Sequence, residues 1–270
     1  MDAQALKKAW LHVEQEQASF IGWDFSYLDG KYEQEPTPWC YEDLVRRVLT
    51  PDMHLLDMGT GGGERLASFG HPWHLVSVTE GWEKNYRLLL ETLRPKGVDV
   101  QFVGDDQRLK FTDHSFDIVL NAHESFQISE VRRVLKPGGF LVTQQVGDLN
   151  GIHLASRLIP DFRCGPFDWH LSLVAEQLEQ AGFTVRNADE AYPWQKFFDM
   201  AGLIYYVKTI AWEFPGFSVT THMRQLLALH EELGRKGYVS NQEHRFILVA
   251  KAPETGWTRT DKKIGAEGLS

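Results

Sequence analysis

The sequence predicts an α/β domain built on a doubly wound, mostly parallel sheet, and three observations carry that prediction. From residue 53 onward, short apolar runs alternate with amphipathic stretches, as in βαβ units with right-handed crossovers. The pair Leu55-Leu56 leads into Asp57-Met58-Gly59-Thr60-Gly61-Gly62-Gly63-Glu64, a glycine-rich turn where a strand hands over to a helix. The run Phe116-Asp117-Ile118-Val119-Leu120-Asn121 is largely apolar, as in a strand covered on both faces.

Taken in order, residues 2–20 read as a helix, with Ala5, Leu6, Trp10, Leu11 and Val13 on one broad face. The stretch 21–39 is loop-like but rich in aromatics (Trp23, Phe25, Tyr27), and such a loop packs on something, either the body of the domain or the mouth of a ligand site. A short helix over 41–49 leads to a strand at 53–58, the glycine turn and a short helix at 63–69. A strand over 74–79 ends at Glu80, and the helix over 82–94 is stopped by Pro95 and Gly97. Strands follow at 98–103 and 116–121, then a helix at 126–135, a turn at Pro137-Gly138-Gly139 and a strand at 140–146. The second half is less regular: a helix at 171–181, a strand at 184–191, helices at 197–212 and 219–235, and a last strand at 244–251. The expected organisation is one domain over 1–252, with a helical extension over 1–50, a core over 53–147, a helical insertion over 197–235 and a flexible tail over 253–270.

Composition bounds the function. The chain of 270 residues is 43% hydrophobic and 24% charged, an ordinary globular balance, and its 9 Trp, 8 Tyr and 16 Phe can line a pocket. A formal charge of −9 disfavours general binding to a phosphate backbone. Cys40 and Cys164 have neither disulfide-framework nor metal spacing, so reduced thiols and a cytoplasmic location are expected. The N-terminus has no signal-peptide pattern, and no apolar run is long enough to span a bilayer. No HExxH or Cys/His cluster is present, and His222 and His230 are eight apart, so no metal is expected.

The strand ends carry the chemistry, because ligands of such sheets sit there. A dinucleotide fingerprint would need glycine at position 64, which holds Glu64. The pattern acidic-x-G-x-G-x-G, in contrast, is filled by Asp57, Gly59, Gly61 and Gly63. Glu80 ends the next strand and can accept both hydroxyls of a ribose. Then come Gly104-Asp105-Asp106, the segment Asp113-His114-Ser115-Phe116-Asp117, Asn121-Ala122-His123-Glu124, and Arg133-Val134-Leu135-Lys136-Pro137-Gly138-Gly139. In this order and spacing, over about residues 53–147, the motifs resemble those of the class I S-adenosylmethionine (SAM) methyltransferases, and the flanks resemble a bacterial group of small, type 11-like methyltransferases.

The resemblance implies a Rossmann-like seven-stranded sheet, mostly parallel with an antiparallel last strand, and a helical cap between the last two strands. It implies SAM as cofactor, held by Asp57, Gly59, Thr60, Gly61, Gly63 and Glu80, with Asp105 and Asp106 on the adenine and Asn121 and His123 near the methionine part. His123 and Glu124 are the candidates for a catalytic role, His123 serving either as a base or as a cofactor-shell residue. Gln144 or Gln145 should face the site, since strand neighbours point to opposite faces. Trp169, His170, Tyr205, Tyr206 and Trp212 are candidates for an acceptor pocket.

The expected activity is methyl transfer to an oxygen or nitrogen atom of a small molecule, by a monomer or homodimer. An RNA methyltransferase, a non-catalytic SAM-binding protein and a nicotinamide-dependent oxidoreductase are the alternatives. Glu64 and the 104–111 segment oppose the last. The DNA adenine methyltransferase signature is absent, with Asn121-Ala122-His123-Glu124 in its place.

Overall fold

The structure is a computed structural model that describes residues 2–19, 25–104 and 108–254. Its first half runs α1 (Ala3–Gln17), β1 (Tyr32–Gln34), α2 (Tyr41–Val48), β2 (Leu55–Met58), α3 (Glu64–Ala67), β3 (Val76–Glu80), α4 (Glu83–Thr92), β4 (Asp99–Phe102) and β5 (Phe116–Ala122). Then follow α5 (Ile128–Val134), β6 (Leu135–Val146), α6 (Ile152–Leu158), α7 (Leu171–Gln180), β7 (Thr184–Ala191), β8 (Trp194–Phe197), α8 (Met200–Thr209), α9 (Met223–Lys236), β9 (Val239–Gln242) and β10 (Arg245–Lys251). Trp23, Asp105, Asp106 and the tail beyond residue 254 lie outside the described residues.

The chain divides into two compact units. The first comprises Trp39–Gln145, Trp169–Glu190 and the chain from Phe246. Its sheet has seven strands in the order β4-β3-β2-β5-β6-β10-β7. The register is parallel from β4 through β6, with Leu55 beside Val76 and Ile118, and Val119 beside Leu141. The antiparallel pairing lies toward the β7 edge, so the sheet is the Rossmann-like one expected. Strand neighbours face opposite ways, and two cores follow. Leu56, Val119, Leu141 and Phe246 pack with Val131 of α5 and Val174 of α7. Leu55, Ile118, Val142 and Ile247 pack with Val45 of α2, Leu66 of α3 and Leu89 of α4. Helices on both faces explain why these strands read as continuous apolar runs. From β2 the chain winds outward to β3 and β4, then returns to start β5 on the other side of β2. This places the reversal of strand order at the carboxyl ends of β2 and β5.

The turn expected at Pro137-Gly138-Gly139 is an irregularity inside β6 instead. Phe116 pairs with Leu135 but Ile118 pairs with Phe140, so the three residues bulge out of an otherwise continuous strand. A Cβ on Gly139 would sit 2.9 Å from the Asp117 carbonyl oxygen, so the bulge needs glycine there.

The second unit comprises the chain up to Pro38, Val146–Asp168 and Ala191–Arg245. It has a sheet of its own, which the sequence did not announce: three strands in the order β1-β8-β9, both pairings antiparallel, with Tyr32 beside Phe197 and Phe197 beside Val239. Leu6, Trp10 and Val13 of α1 share a core with Leu203, Ile204 and Val207 of α8 and Leu226 of α9. The helix expected over 197–212 starts only at Met200. Phe197 belongs to β8, and Asp199 caps the helix by accepting from the Gly202 N–H at 2.6 Å.

Candidate functional site

The glycine turn after β2 is built by backbone conformation. Gly59, Gly61 and Gly63 have φ of +66°, +63° and +86°, so every second residue of the turn is left-handed and the acidic-x-G-x-G-x-G spacing follows from geometry. At Gly59 there is a second reason, since a Cβ there would lie 2.4 Å from the Glu124 Cβ. The turn is tied to β3, because Gly59 and Thr60 donate their N–H groups to the Thr79 carbonyl at 3.0 and 3.2 Å. Thr60 Oγ1 donates to Asp57 Oδ2. The helix that follows, α3, has four residues, so its dipole is small.

Glu80 is buried at the end of β3. Its Oε2 accepts the Gly61 N–H at 2.9 Å and its Oε1 accepts the Trp82 N–H at 2.9 Å. Glu80 thus braces the turn, and the Gly81 backbone and the Asn85 side chain hydrogen-bond the same carboxylate. Burial raises the Glu80 carboxyl above its ordinary range, with those hydrogen bonds opposing. Burial pushes Asp57 up to about 6, with a smaller upward push from Glu80. Glu124 is raised by burial and then by Glu80. Three carboxylates therefore crowd one turn, each carrying an electrostatic penalty that a cation would relieve.

Asn121 is the penultimate residue of β5 and is fully buried. Its Oδ1 accepts from Gln145 Nε2 and from Thr143 Oγ1, while its Nδ2 has no hydrogen-bond partner among the described residues. An unspent buried donor beside the turn fits a ligand acceptor group. Gln145 is on this buried side. Gln144 points the other way, where its Oε1 accepts the Trp39 indole N–H at 2.7 Å and its Nε2 lies 3.1 Å from His123 Nε2. The indole can only donate, so it fixes the amide orientation. Gln144 Nε2 must then donate, and His123 Nε2 must accept, which sets a neutral imidazole. His123 itself sits at φ +69°.

The remaining candidates are divided between the two units. Trp169 belongs to the unit of the glycine turn, where it packs edge-on against Phe126 at 5.7 Å and Phe246 at 6.3 Å. His170 is the N-cap residue of α7 in the same unit. Tyr205 and Tyr206 are buried in the other unit, Tyr205 stacked on Tyr27 at 4.1 Å, and Trp212 of that unit is 66% exposed. The sequence reading passed over Trp39, which orients Gln144, and over Asn150 and Glu213 of the other unit. Trp39 carries no motif, and a lone buried acid such as Glu213 has no local signal. No helix among the described residues is long and apolar enough to cross a membrane.

Comparison with known proteins agrees with this geometry. Residues 56–143 match the family described as "Methyltransferase domain". The ubiquinone/menaquinone biosynthesis C-methyltransferase UbiE of Burkholderia cenocepacia is 29% identical over 116 residues, 37% of this chain and 46% of that protein. A highly reducing polyketide synthase, ctvA of Aspergillus terreus, is 26% identical over 186 residues, 57% of this chain and 8% of that protein. The chain thus spans half or less of the length of these curated relatives. Among solved structures, a proposed methyltransferase of Bacillus halodurans superposes with a TM-score of 0.54 at 19% identity, covering 79% of this chain and 98% of that one. The YcgJ protein of Bacillus subtilis gives 0.51 at 15%, covering 80% and 98%. These identities speak to the fold alone. The match over residues 56–143, the strand order and the acidic glycine turn together make this part of the chain a methyltransferase domain of the class I, Rossmann-like kind, with S-adenosylmethionine as its cofactor.

Proposed function

We propose that the protein transfers a methyl group from SAM to an oxygen or nitrogen atom of a small-molecule acceptor. The observation that carries this reading is the acidic turn. Asp57, Glu80 and Glu124 are all pushed up by burial, and such a site favours a sulfonium-bearing cofactor and repels a pyrophosphate. SAM supplies an already electrophilic methyl group, so the protein's work is binding, orientation and exclusion of water.

Glu80 accepts the ribose hydroxyls while it holds the turn through Gly61. Asp57 fixes Thr60 and so the conformation of the loop. Asn121 Nδ2 donates to the amino-acid end of the cofactor, and the lack of a side chain at Gly59 lets Glu124 approach the turn. His123, held by Gln144 and Trp39 with its Nε2 engaged, orients rather than deprotonates. Recognition of the acceptor falls to the unit that contains Tyr205, Tyr206 and Trp212. Cys40 and Cys164 are exposed and unpaired, which suits the reducing cytoplasm we propose as its location.

The test is turnover with SAM carrying a deuterated methyl group and a fractionated metabolite extract. Release of S-adenosylhomocysteine, with label on a heteroatom of a small product, is expected. Label on carbon would favour the reading suggested by the name of the C-methyltransferase relatives. Turnover only with an RNA fraction would favour a nucleic-acid acceptor, against which the charge of −9 argues. Binding of SAM with no turnover on any fraction would favour a non-catalytic role.

A further inference from the structure

The exit of the glycine turn carries a cation that no motif marks. Arg65 is the second residue of α3. Its guanidinium lies over the Tyr41 ring, 5.4 Å from the centroid, and its Nε stands 3.3 Å from Glu42 Oε1. Tyr41 and Glu42 are the first two residues of α2. Tyr41 is buried in the core that also holds Leu55 of β2 and Leu66 of α3. Tyr41, Glu42, Asp57 and Arg65 all belong to one unit.

With only four residues, α3 has few hydrogen bonds of its own with which to hold the turn. The docking on α2 supplies a fixed neighbour instead. A planar guanidinium suits an aromatic face and a carboxylate at the same time, which an ammonium does less well. The ion pair by itself is worth little, since the Arg65 and Glu42 side chains are 44% and 32% exposed. What sets Arg65 apart is the group on which its charge acts.

Burial pushes Asp57 up to about 6, Thr60 and then Arg65 pull it down, and Glu80 pushes it up. The Tyr41 hydroxyl is held well above its ordinary value by burial and then by the Asp57 charge, with Arg65 opposing, so it stays neutral wherever Asp57 titrates. The charged and titratable groups about Asp57 are thus Glu80 of β3, Tyr41 of α2 and Arg65 of α3. Beyond Gly59 and Gly62 stand the carboxylates of Glu124 and Glu64. The cation that acts on Asp57 is Arg65.

The structure assigns Arg65 as a positioning residue of the cofactor turn: docked on Tyr41 and Glu42, it fixes the exit of the turn and supplies the positive charge that acts on Asp57. An ionised Asp57 gives the turn its pull on a cationic cofactor, whereas a protonated one does not. The consequence for SAM rests on the reading that SAM occupies this turn. The action of Arg65 on Asp57 does not.

The experiment follows Asp57 and SAM on the full chain between about pH 5.5 and 7.5, the range that brackets the Asp57 titration. Carboxyl NMR of the unliganded protein, with the Asp57 signal identified by its loss in Asp57→Asn, reads the titration, and calorimetry reads the affinity for SAM. Arg65→Met keeps a long side chain without its charge. It should move the Asp57 titration to higher pH and weaken SAM binding about fivefold near pH 6, the deficit shrinking as pH rises and Asp57 ionises unaided. Arg65→Lys returns the charge and should bring the titration back and restore SAM affinity near pH 6 to within about twofold. An unmoved Asp57 titration in Arg65→Met, or a SAM deficit of the same size at every pH, overturns the proposal and leaves Arg65 as a surface link between α2 and α3. If the wild-type protein binds no SAM while Arg65→Met still moves the titration, the charge role stands and the cofactor reading falls. If SAM binds and Arg65→Met changes neither its affinity nor the titration, the reverse holds.

Discussion

Removing the Glu80 carboxylate tests both its bracing of the turn and the ribose role we propose for it. Glu80→Ala leaves the Gly61 and Trp82 N–H groups without their charged acceptors, each now at 2.9 Å. Hydrogen bonds to a charged group are worth about 1.5–3 kcal/mol each. Part of that sum is offset, because burial already penalises this carboxylate and water can enter the space it leaves. A net loss of about 2–3 kcal/mol remains, which for a chain of this size lowers Tm by about 5–10 °C. The ribose loses its carboxylate partner as well, a further factor of about 10–150 in affinity. SAM and S-adenosylhomocysteine share that ribose, so calorimetry well below Tm should show the same factor for both. A lowered Tm with unchanged affinity for the two ligands would refute the ribose role and leave Glu80 as a brace of the turn alone.

Three further outcomes follow from the same geometry. The Asp57 carboxyl sits at about 6, above its ordinary value, so its contribution to stability is complete at pH below about 4 and is lost as pH rises through 6; the loss is about 3 kcal/mol at most, and Asp57→Asn should flatten the fall in Tm between pH 4.5 and 7.5. Gly59→Ala should abolish SAM binding and cost about 1–3 kcal/mol in stability, since it forces a left-handed residue and meets the Glu124 Cβ; Glu124→Gly in the same chain removes that contact but not the backbone strain, so denaturant melts should show only partial recovery. Trp212→Ala should change stability by no more than about 0.5 kcal/mol because the side chain is 66% exposed, so a raised KM for the acceptor would report on recognition, and an unchanged KM would remove Trp212 from the acceptor site.

The unit around the glycine turn was legible because its signals are local. Leu55-Leu56 and Ile118-Val119-Leu120 are apolar on both faces for a reason visible in the helices that cover them, and the left-handed residues of the turn can only be glycine. The other unit was not legible. Its strands are three or four residues long and read YEQ, WQKF and VSNQ, with polar residues that become buried only when the strands meet. Gln195 and Asn241 are fully buried in that unit, Asn241 donating to Gln195 Oε1 at 2.8 Å, and no alternation of apolar and polar residues could mark them. The cap at Asp199, with Gly202 three positions on, was a readable sign that the helix starts late. The state of His123 depends on Trp39, 84 positions earlier in the chain, and tertiary structure alone brings the two to Gln144.

The central claim is that the acidic glycine turn is a site for a cationic methyl donor. Parallel calorimetric titrations of the wild-type protein with SAM and with NADH test it most directly. The account predicts saturable SAM binding in the micromolar range, with no heat of binding for NADH because its pyrophosphate would face Asp57, Glu80 and Glu124. Tight binding of NADH with none of SAM would contradict it.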